Sequence, residues 1–308
     1  MKIPIDGLRV GHYTDETART GCTVLLFPEG TVASGEVRGG APATREFDLL
    51  APERTVESLD ALVLSGGSAF GLASADGVMA HLADEGTGFP TGGGPVPIVV
   101  GLSLYDLLEG DGSVRPGPTE GRVAAEAATP TVDIPVPTGS VGAGTGATVG
   151  TWRGRDRARP GGLGVAVVGH GSLTVAVVVA VNAAGDVGDP ATSMAVADGV
   201  FRGWPDSGDL FTASPVAGAD AGPRGNTTIG AVVTDAALTK GECLLLAQSA
   251  HDGLARAVFP PHMRSDGDAF VAAATGTVPR GNGDGAADLD VLRVLTVAAV
   301  EQAVVRAC

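Results

Sequence analysis

A chain of 308 residues with 44% hydrophobic and 18% charged residues has ample material for a large buried core, in one large domain or two. The formal net charge of -15 supplies no clustered Lys and Arg surface, which argues against nucleic-acid partners. Aromatics make up only 4%, so Ala, Val and Leu must build the core, and the 48 glycines follow no collagen-like period, so they mark turns and close backbone approaches.

From the N-terminus, MKIPIDGLRVGH has no apolar core of the kind a signal peptide needs. No apolar run reaches about eighteen residues, so no membrane span is expected. The cysteines (Cys22, Cys243, Cys308) are far apart, odd in number and in no CxxC spacing. That usage fits a reducing cytoplasm and offers no metal site. Short apolar runs bounded by Gly, Pro and Asp predict buried strands at 22–27, 61–64, 96–100, 163–168 and 173–181. The last two flank Gly169-His170-Gly171-Ser172, a hairpin signal. Helical periodicity covers 68–83, 120–128, 239–258 and 286–307. The third helix opens with Thr239 and Glu242 in capping-box spacing, and the last has a broad apolar face that must pack on something large. Hairpin-linked strands followed by long helices predict an α+β sandwich of one domain over a strictly alternating parallel sheet.

Gly203 to Asn226 is rich in Gly, Pro, Asp and Ser without a sustained period, and it runs straight into the apolar strand Thr227-Thr228-Ile229-Gly230-Ala231-Val232-Val233. Structureless segments of that length inside a compact domain are functional or disordered. On the residues alone the joint is either a surface loop entering a buried strand or the seat of a nucleophile, Thr227, on a rigid element. Ser65-Gly66-Gly67-Ser68 joins a strand to a helix and reads equally as an anion or carboxylate cradle and as a plain turn. The Gly142 to Gly150 run misses the G-x-G-x-x-G spacing. The histidines form no i,i+4 zinc pair, and His251 is expected as a surface or half-buried helix residue.

Six stretches then fall into an ordered series: Val37-Arg38-Gly39-Gly40-Ala41-Pro42-Ala43-Thr44-Arg45-Glu46, Ser65 to Leu72, Val141 to Gly146, Val181-Asn182-Ala183-Ala184-Gly185-Asp186, Asn226 to Gly230, and Ser265-Asp266-Gly267-Asp268. Together they resemble the DmpA-like family of self-processing aminopeptidases, which includes the β-peptidyl aminopeptidases. The resemblance runs from about residue 5 to the C-terminus. It implies a four-layer αββα sandwich of the DmpA and ornithine acetyltransferase-like type. It also implies a precursor that cuts itself between Asn226 and Thr227 into 1–226 and 227–308, with 203–226 as an exposed processing loop. Relatives often carry Ser where this chain has Thr227.

The implied site has Thr227 as nucleophile and Asn182 as oxyanion donor, with Asp266 and Asp268 assisting the first cut. Read without the family, Asn182 is a turn-former and the two acids a solvated turn before Phe270. Arg38, Arg45 and Ser65, Gly66, Gly67 and Ser68 are expected to line the substrate pocket. Some relatives add a Tyr hydroxyl, and neither Tyr13 nor Tyr105 aligns securely with it. A hydroxyl needs a neighbouring base. Once Thr227 is N-terminal, its α-amine, at about 7.7–8.0 when unperturbed, can serve. The resemblance further implies small peptide, amide or ester substrates, no metal or organic cofactor, and a homotetramer or larger homo-oligomer, while the cysteine usage and the N-terminus lead to the expectation of a cytoplasmic location. Alternatives are an acyltransferase of the ornithine acetyltransferase type and an uncleaved, non-catalytic binding or assembly relative.

Overall fold

A computed structural model describes residues 1–188, 225–279 and 289–308. Most of the expected processing loop, residues 203–224, and the first residues of the expected last helix, 286–288, lie outside the described residues. In chain order the strands are β1 (Arg9–Asp15), β2 (Thr20–Leu26), β3 (Val32–Val37), β4 (Thr44–Arg45), β5 (Ala61–Ser65), β6 (Val99–Ser103) and β7 (Thr129–Pro130). They continue as β8 (Thr148–Val149), β9 (Arg159–Pro160), β10 (Gly162–His170), β11 (Leu173–Asn182), β12 (Asp186–Val187), β13 (Thr227–Ala236), β14 (Val258–Phe259) and β15 (Ala269–Val278). The described α-helices are α1 (Ser74–Asp84), α2 (Pro118–Glu126), α3 (Lys240–Ala257) and α4 (Leu289–Ala307).

Two large sheets form, one ordered β4-β6-β5-β2-β1-β7 and the other β10-β11-β13-β15-β3. Both are mixed: β5 runs parallel to β6 and β13 parallel to β15, while the other pairs in the two sheets are antiparallel. Strand β11 shows why the second sheet is buried on both sides. Val175, Val177, Val179 and Val181 join one apolar cluster with Leu246, Leu254, Leu292 and Val300 of α3 and α4. Ala176, Val178 and Ala180 join another with Leu62, Leu64, Val100 and Leu102 of the first sheet. A third cluster lies between β2, β5 and β6 and the helices α1 and α2, built from Val24, Val63, Val78, Leu82 and Ala124. The period of 2 thus places each strand residue in one of two cores. Helices α1 and α2 meet backbone to backbone: a Cβ on Gly77 would lie 1.8 Å from the Pro118 carbonyl oxygen, and one on Gly121 would lie 1.9 Å from that of Ser74.

The expected hairpin joins β10 and β11, and Thr239 and Glu242 cap α3 reciprocally, the Thr239 amide donating to Glu242 Oε2 at 2.8 Å. Three readings need correction. The strand expected at 96–100 lies at Val99–Ser103, because Pro97 has no N–H for the ladder and Val96 instead bridges Phe89. The helix expected from Ser68 begins as a 3-10 turn at Ser68–Ala73, since Gly67 (φ +82°) and Ser68 (φ +56°) are left-handed and cannot open an α-helix directly. His251 is fully buried, because it lies on the face of α3 that packs on Phe270, where the rings meet edge to face at 5.1 Å. The last helix buries Leu292, Val300 and Val304 but leaves Val294 68% and Val305 50% exposed.

Candidate functional site

Strand register brings the expected nucleophile and oxyanion donor together. Asn182 at the end of β11 stands opposite Thr227 at the start of β13. Both follow the alternation that sends Ala180 and Ile229 into the core between the sheets, so their side chains share that face. Asn182 is fully buried, Asn226 is 3% and Thr227 4% exposed. The Thr227 hydroxyl donates to the carbonyl oxygen of Asn226 at 2.5 Å. It accepts from the Gly267 amide at 3.1 Å, and the same amide donates to the Asn226 carbonyl oxygen at 3.0 Å. One N–H therefore serves both the Thr227 hydroxyl and the carbonyl oxygen of the residue before it. The Ser265-Asp266-Gly267-Asp268 motif points in sequence to its two acids, whereas in the structure it is the backbone of Gly267 between them that contacts Thr227. A Cβ there would lie 2.7 Å from Thr227 Oγ1 and 2.7 Å from the Ala41 carbonyl oxygen, so the position admits only glycine without a shift.

Asp266 and Asp268 flank that glycine, and both are 2% exposed. Asp266 accepts from the Met263 amide at 2.8 Å and the Ala184 amide at 3.3 Å. Asp268 Oδ1 accepts from the Thr228 amide at 2.7 Å, and its Oδ2 accepts from the amide of His262 at 3.2 Å and contacts His262 Nδ1 at 2.8 Å. Among the described residues neither carboxylate is hydrogen-bonded to the Thr227 hydroxyl; they brace the peptide that is. Burial, and then the charge of Asp268, pushes the Asp266 carboxyl up to about 7. The Arg38 to Ala41 stretch supports this turn through its backbone. The Arg38 and Gly39 amides donate to the Asp268 carbonyl at 3.0 and 3.2 Å, and the Ala41 amide donates to that of Asp266 at 2.8 Å.

The Asn182 amide is oriented by its partners: Oδ1 accepts from the Thr148 amide and Nδ2 donates to the Tyr105 carbonyl, both at 2.9 Å. A second Nδ2 hydrogen is left for another acceptor. Of the two tyrosines, Tyr105 is the one brought here, its ring so close to Gly225 that a Cβ on that residue would lie 2.5 Å from Tyr105 Cγ. Tyr13 packs with the α1–α2 core instead. Thr151 donates its hydroxyl to Asn226 Oδ1 at 2.8 Å, fixing the side chain that precedes the joint.

The remaining expected residues lie differently. The Ser65–Ser68 turn is a carboxylate cradle, and the chain fills it itself. The Gly67 amide donates to Asp106 Oδ1 and the Thr20 hydroxyl to Asp106 Oδ2, both at 2.7 Å, with Asp106 only 4% exposed. A Cβ on Gly66 would meet Asp106 Oδ2 at 2.0 Å. Ser65 bonds to Ser103 at 3.1 Å, and the Ser68 amide donates to the Leu104 carbonyl at 2.8 Å. This turn anchors residues 103–106 and so sets the Tyr105 carbonyl against Asn182. The Arg38 guanidinium pairs with Glu36 at 2.9 Å and Asp252 at 3.1 Å. Arg45 pairs with Asp76 of α1 at 2.6 Å. Among the described residues no group of three or more His, Cys, Asp or Glu side chains could hold a metal ion, and no helix is long and apolar enough to cross a membrane.

The family model "Peptidase family S58" matches residues 3–308. An uncharacterized aminopeptidase of Mycobacterium tuberculosis (strain ATCC 25618 / H37Rv) is 43% identical over 290 residues, covering 89% of this chain and 81% of its own. A 6-aminohexanoate-oligomer endohydrolase of Kocuria sp. (strain KY2) is 30% identical over 287 residues, covering 89% of this chain and 75% of its own. Among solved structures, the L-aminopeptidase D-Ala-esterase/amidase of Ochrobactrum anthropi, described as a variant of the Ntn hydrolase fold, superposes with a TM-score of 0.70 at 21% identity. That match covers 98% of this chain and 84% of the other. A Burkholderia sp. beta-aminopeptidase gives 0.69 at 24% identity, with the same coverage. At those identities the structural matches speak for the fold.

Proposed function

The chain belongs to peptidase family S58, and from that premise we propose that it is a self-processing N-terminal-nucleophile aminopeptidase or amidase. It cuts between Asn226 and Thr227 and then hydrolyses small peptides, amides or esters through an acyl-Thr227 intermediate. The observation that carries this reading is the Gly267 N–H, shared between the Thr227 hydroxyl and the Asn226 carbonyl oxygen. A donor already aimed at the oxygen that becomes an oxyanion requires no reorganisation during the reaction.

In the first step Thr227 Oγ1 attacks the Asn226 carbonyl carbon and gives up its proton. Asp266 is assigned as acceptor, since its carboxyl titrates at about 7. Its oxygens accept from the Met263 amide at 2.8 Å and the Ala184 amide at 3.3 Å, the second being the weaker hold. The Gly267 amide holds the oxyanion. The bond from the Asn226 carbonyl carbon to the Thr227 nitrogen breaks, and that nitrogen takes the proton. Water then hydrolyses the ester, leaving an Asn226 carboxylate and a free Thr227 hydroxyl and α-amine.

In turnover that amine takes the hydroxyl proton. The acyl oxyanion is held by the second Nδ2 hydrogen of Asn182 together with the Gly267 amide. The leaving amine departs protonated, and water releases the acyl group. We read the stacking of the three cores as the four-layer αββα sandwich within one domain. The exposed Val294 and Val305 on α4 support a homo-oligomer. The test is hydrolysis of a panel of aminoacyl p-nitroanilides and amides, with and without an added amine acceptor. The reading expects release of free amino acid in both cases and its loss in Thr227→Ala; predominant transfer to the acceptor would favour the acyltransferase.

A further inference from the structure

Behind the nucleophile, on the helix side of β13, lies a buried chain of groups that the proposed chemistry does not use. Phe270 belongs to the core under α3 and α4, and the His251 ring of α3 meets it edge to face. The His262 ring meets the His251 ring edge to face at 4.9 Å. His251 Nε2 contacts the Glu36 carbonyl at 3.0 Å, and burial lowers this imidazole to about 4, so it stands as a neutral wall. His262 grips one carboxylate oxygen twice: its amide and its Nδ1 both reach Asp268 Oδ2, at 3.2 and 2.8 Å. Since the amide and a carboxylate-facing Nδ1 both donate, the ring carries its proton on Nδ1. His262 makes both contacts from φ +53°, a left-handed conformation uncommon for a residue with a side chain. The other oxygen of Asp268 holds the amide of Thr228, the residue after the nucleophile.

We infer that His262 is a positioning residue: by clamping Asp268 it fixes the first turn-to-strand peptides of β13 from behind and so holds Thr227 against the Gly267 amide. The inference rests on the hydrolase reading above. It assigns Asp268 an anchoring role and leaves proton transfer to Asp266. The path is continuous: His262 to Asp268 Oδ2, Asp268 Oδ1 to the Thr228 amide, and from there one residue back to the attacking hydroxyl. Outer-shell partners of metal ligands, which are likewise one step removed from the reacting atoms, typically change activity by about 10–100-fold, and the same scale is taken for this clamp.

The test compares His262→Gly and His262→Asn with wild type. Glycine accepts the left-handed backbone and keeps the amide donor but removes the ring donor; asparagine accepts the same backbone and restores a side-chain donor. Readouts are the rate of self-cutting by intact mass and kcat and KM on an aminoacyl p-nitroanilide, with folding followed by thermal melting. The account expects a folded His262→Gly to cut and turn over about 10–100-fold more slowly at a KM within about twofold of wild type, and His262→Asn to recover to within about threefold. A folded His262→Gly that matches wild type overturns it. If the glycine variant does not fold, His262→Asn decides: near-wild-type rates support the clamp, and a folded, slow His262→Asn overturns it. A wild-type chain that neither cuts nor hydrolyses sinks the hydrolase reading and this inference together, whereas an active wild type beside an equally active His262→Gly sinks the inference alone.

Discussion

Gly267→Ala separates the role of the shared amide from that of the fold around it. The added Cβ would sit 2.7 Å from Thr227 Oγ1, 2.7 Å from the Ala41 carbonyl oxygen and 3.1 Å from Pro42 Cα. Two of those neighbours are backbone, so relief comes mainly by pushing the hydroxyl away and tilting the 266–267 peptide. Overpacking of one methyl costs about 1–3 kcal/mol. A domain with the usual stability of about 5–15 kcal/mol absorbs that and stays folded at 25 °C. The loss of one preorganised oxyanion donor, by contrast, slows reaction by about 10²–10³-fold. The variant should therefore melt as a cooperative unit at a lower temperature and accumulate as the uncut chain in an intact-mass time course. A folded Gly267→Ala that cuts within about threefold of wild type would refute the assignment of this amide to the oxyanion.

Asp266 carries the pH dependence. Its folded value of about 7 lies above the roughly 3.9 of an unperturbed Asp, so between about pH 4 and 7 the folded chain holds a proton that the unfolded chain has lost. Its contribution to stability therefore falls as pH rises across that window and is level above it, and Asp266→Asn should flatten that slope in urea titrations. Self-cutting should accelerate through about pH 7 as the carboxylate forms, and the Asn variant should lose that limb. Asp106→Ala leaves the Gly67 amide and the Thr20 hydroxyl without their acceptor and should cost about 1–3 kcal/mol for each buried orphan group, read from the urea midpoint. Arg38→Ala removes only two partly exposed ion pairs and should change stability by no more than about 1 kcal/mol, with self-cutting unaffected. In contrast, Gly39→Ala should abolish cutting, because its Cβ would lie 2.3 Å from the Asp268 nitrogen.

Much of this geometry was legible in order along the chain, because each motif is a local solution to a backbone problem. The glycines at 39 and 267 admit close approach, and Asn182 and Thr227 end and begin apolar runs whose alternation fixes their shared face. What stayed hidden depends on long-range packing. Tyr105 reaches Asn182 through its carbonyl, which no side-chain pattern reports. Asp106 lies far in sequence from the Ser65–Ser68 turn it fills, so local pattern does not distinguish an occupied cradle from an open one or from a plain turn. His262 follows Pro260 and Pro261 in a segment with no periodicity, and its proximity to Asp266 and Asp268 was the only available signal. His251 was misread because one helix face cannot announce from sequence alone that a sheet will cover it. Strand β6 slid by three residues since the apolar run began before a proline that cannot join a ladder.

The central claim is that Thr227 makes its own N-terminus. Intact mass and N-terminal sequencing of purified, denatured protein test it directly. The account predicts two fragments, residues 1–226 and 227–308, the second beginning Thr-Thr-Ile-Gly, and a single full-length species for Thr227→Ala. A wild-type chain that stays whole while it hydrolyses substrate, or a Thr227→Ala chain that still divides at Asn226, would contradict it.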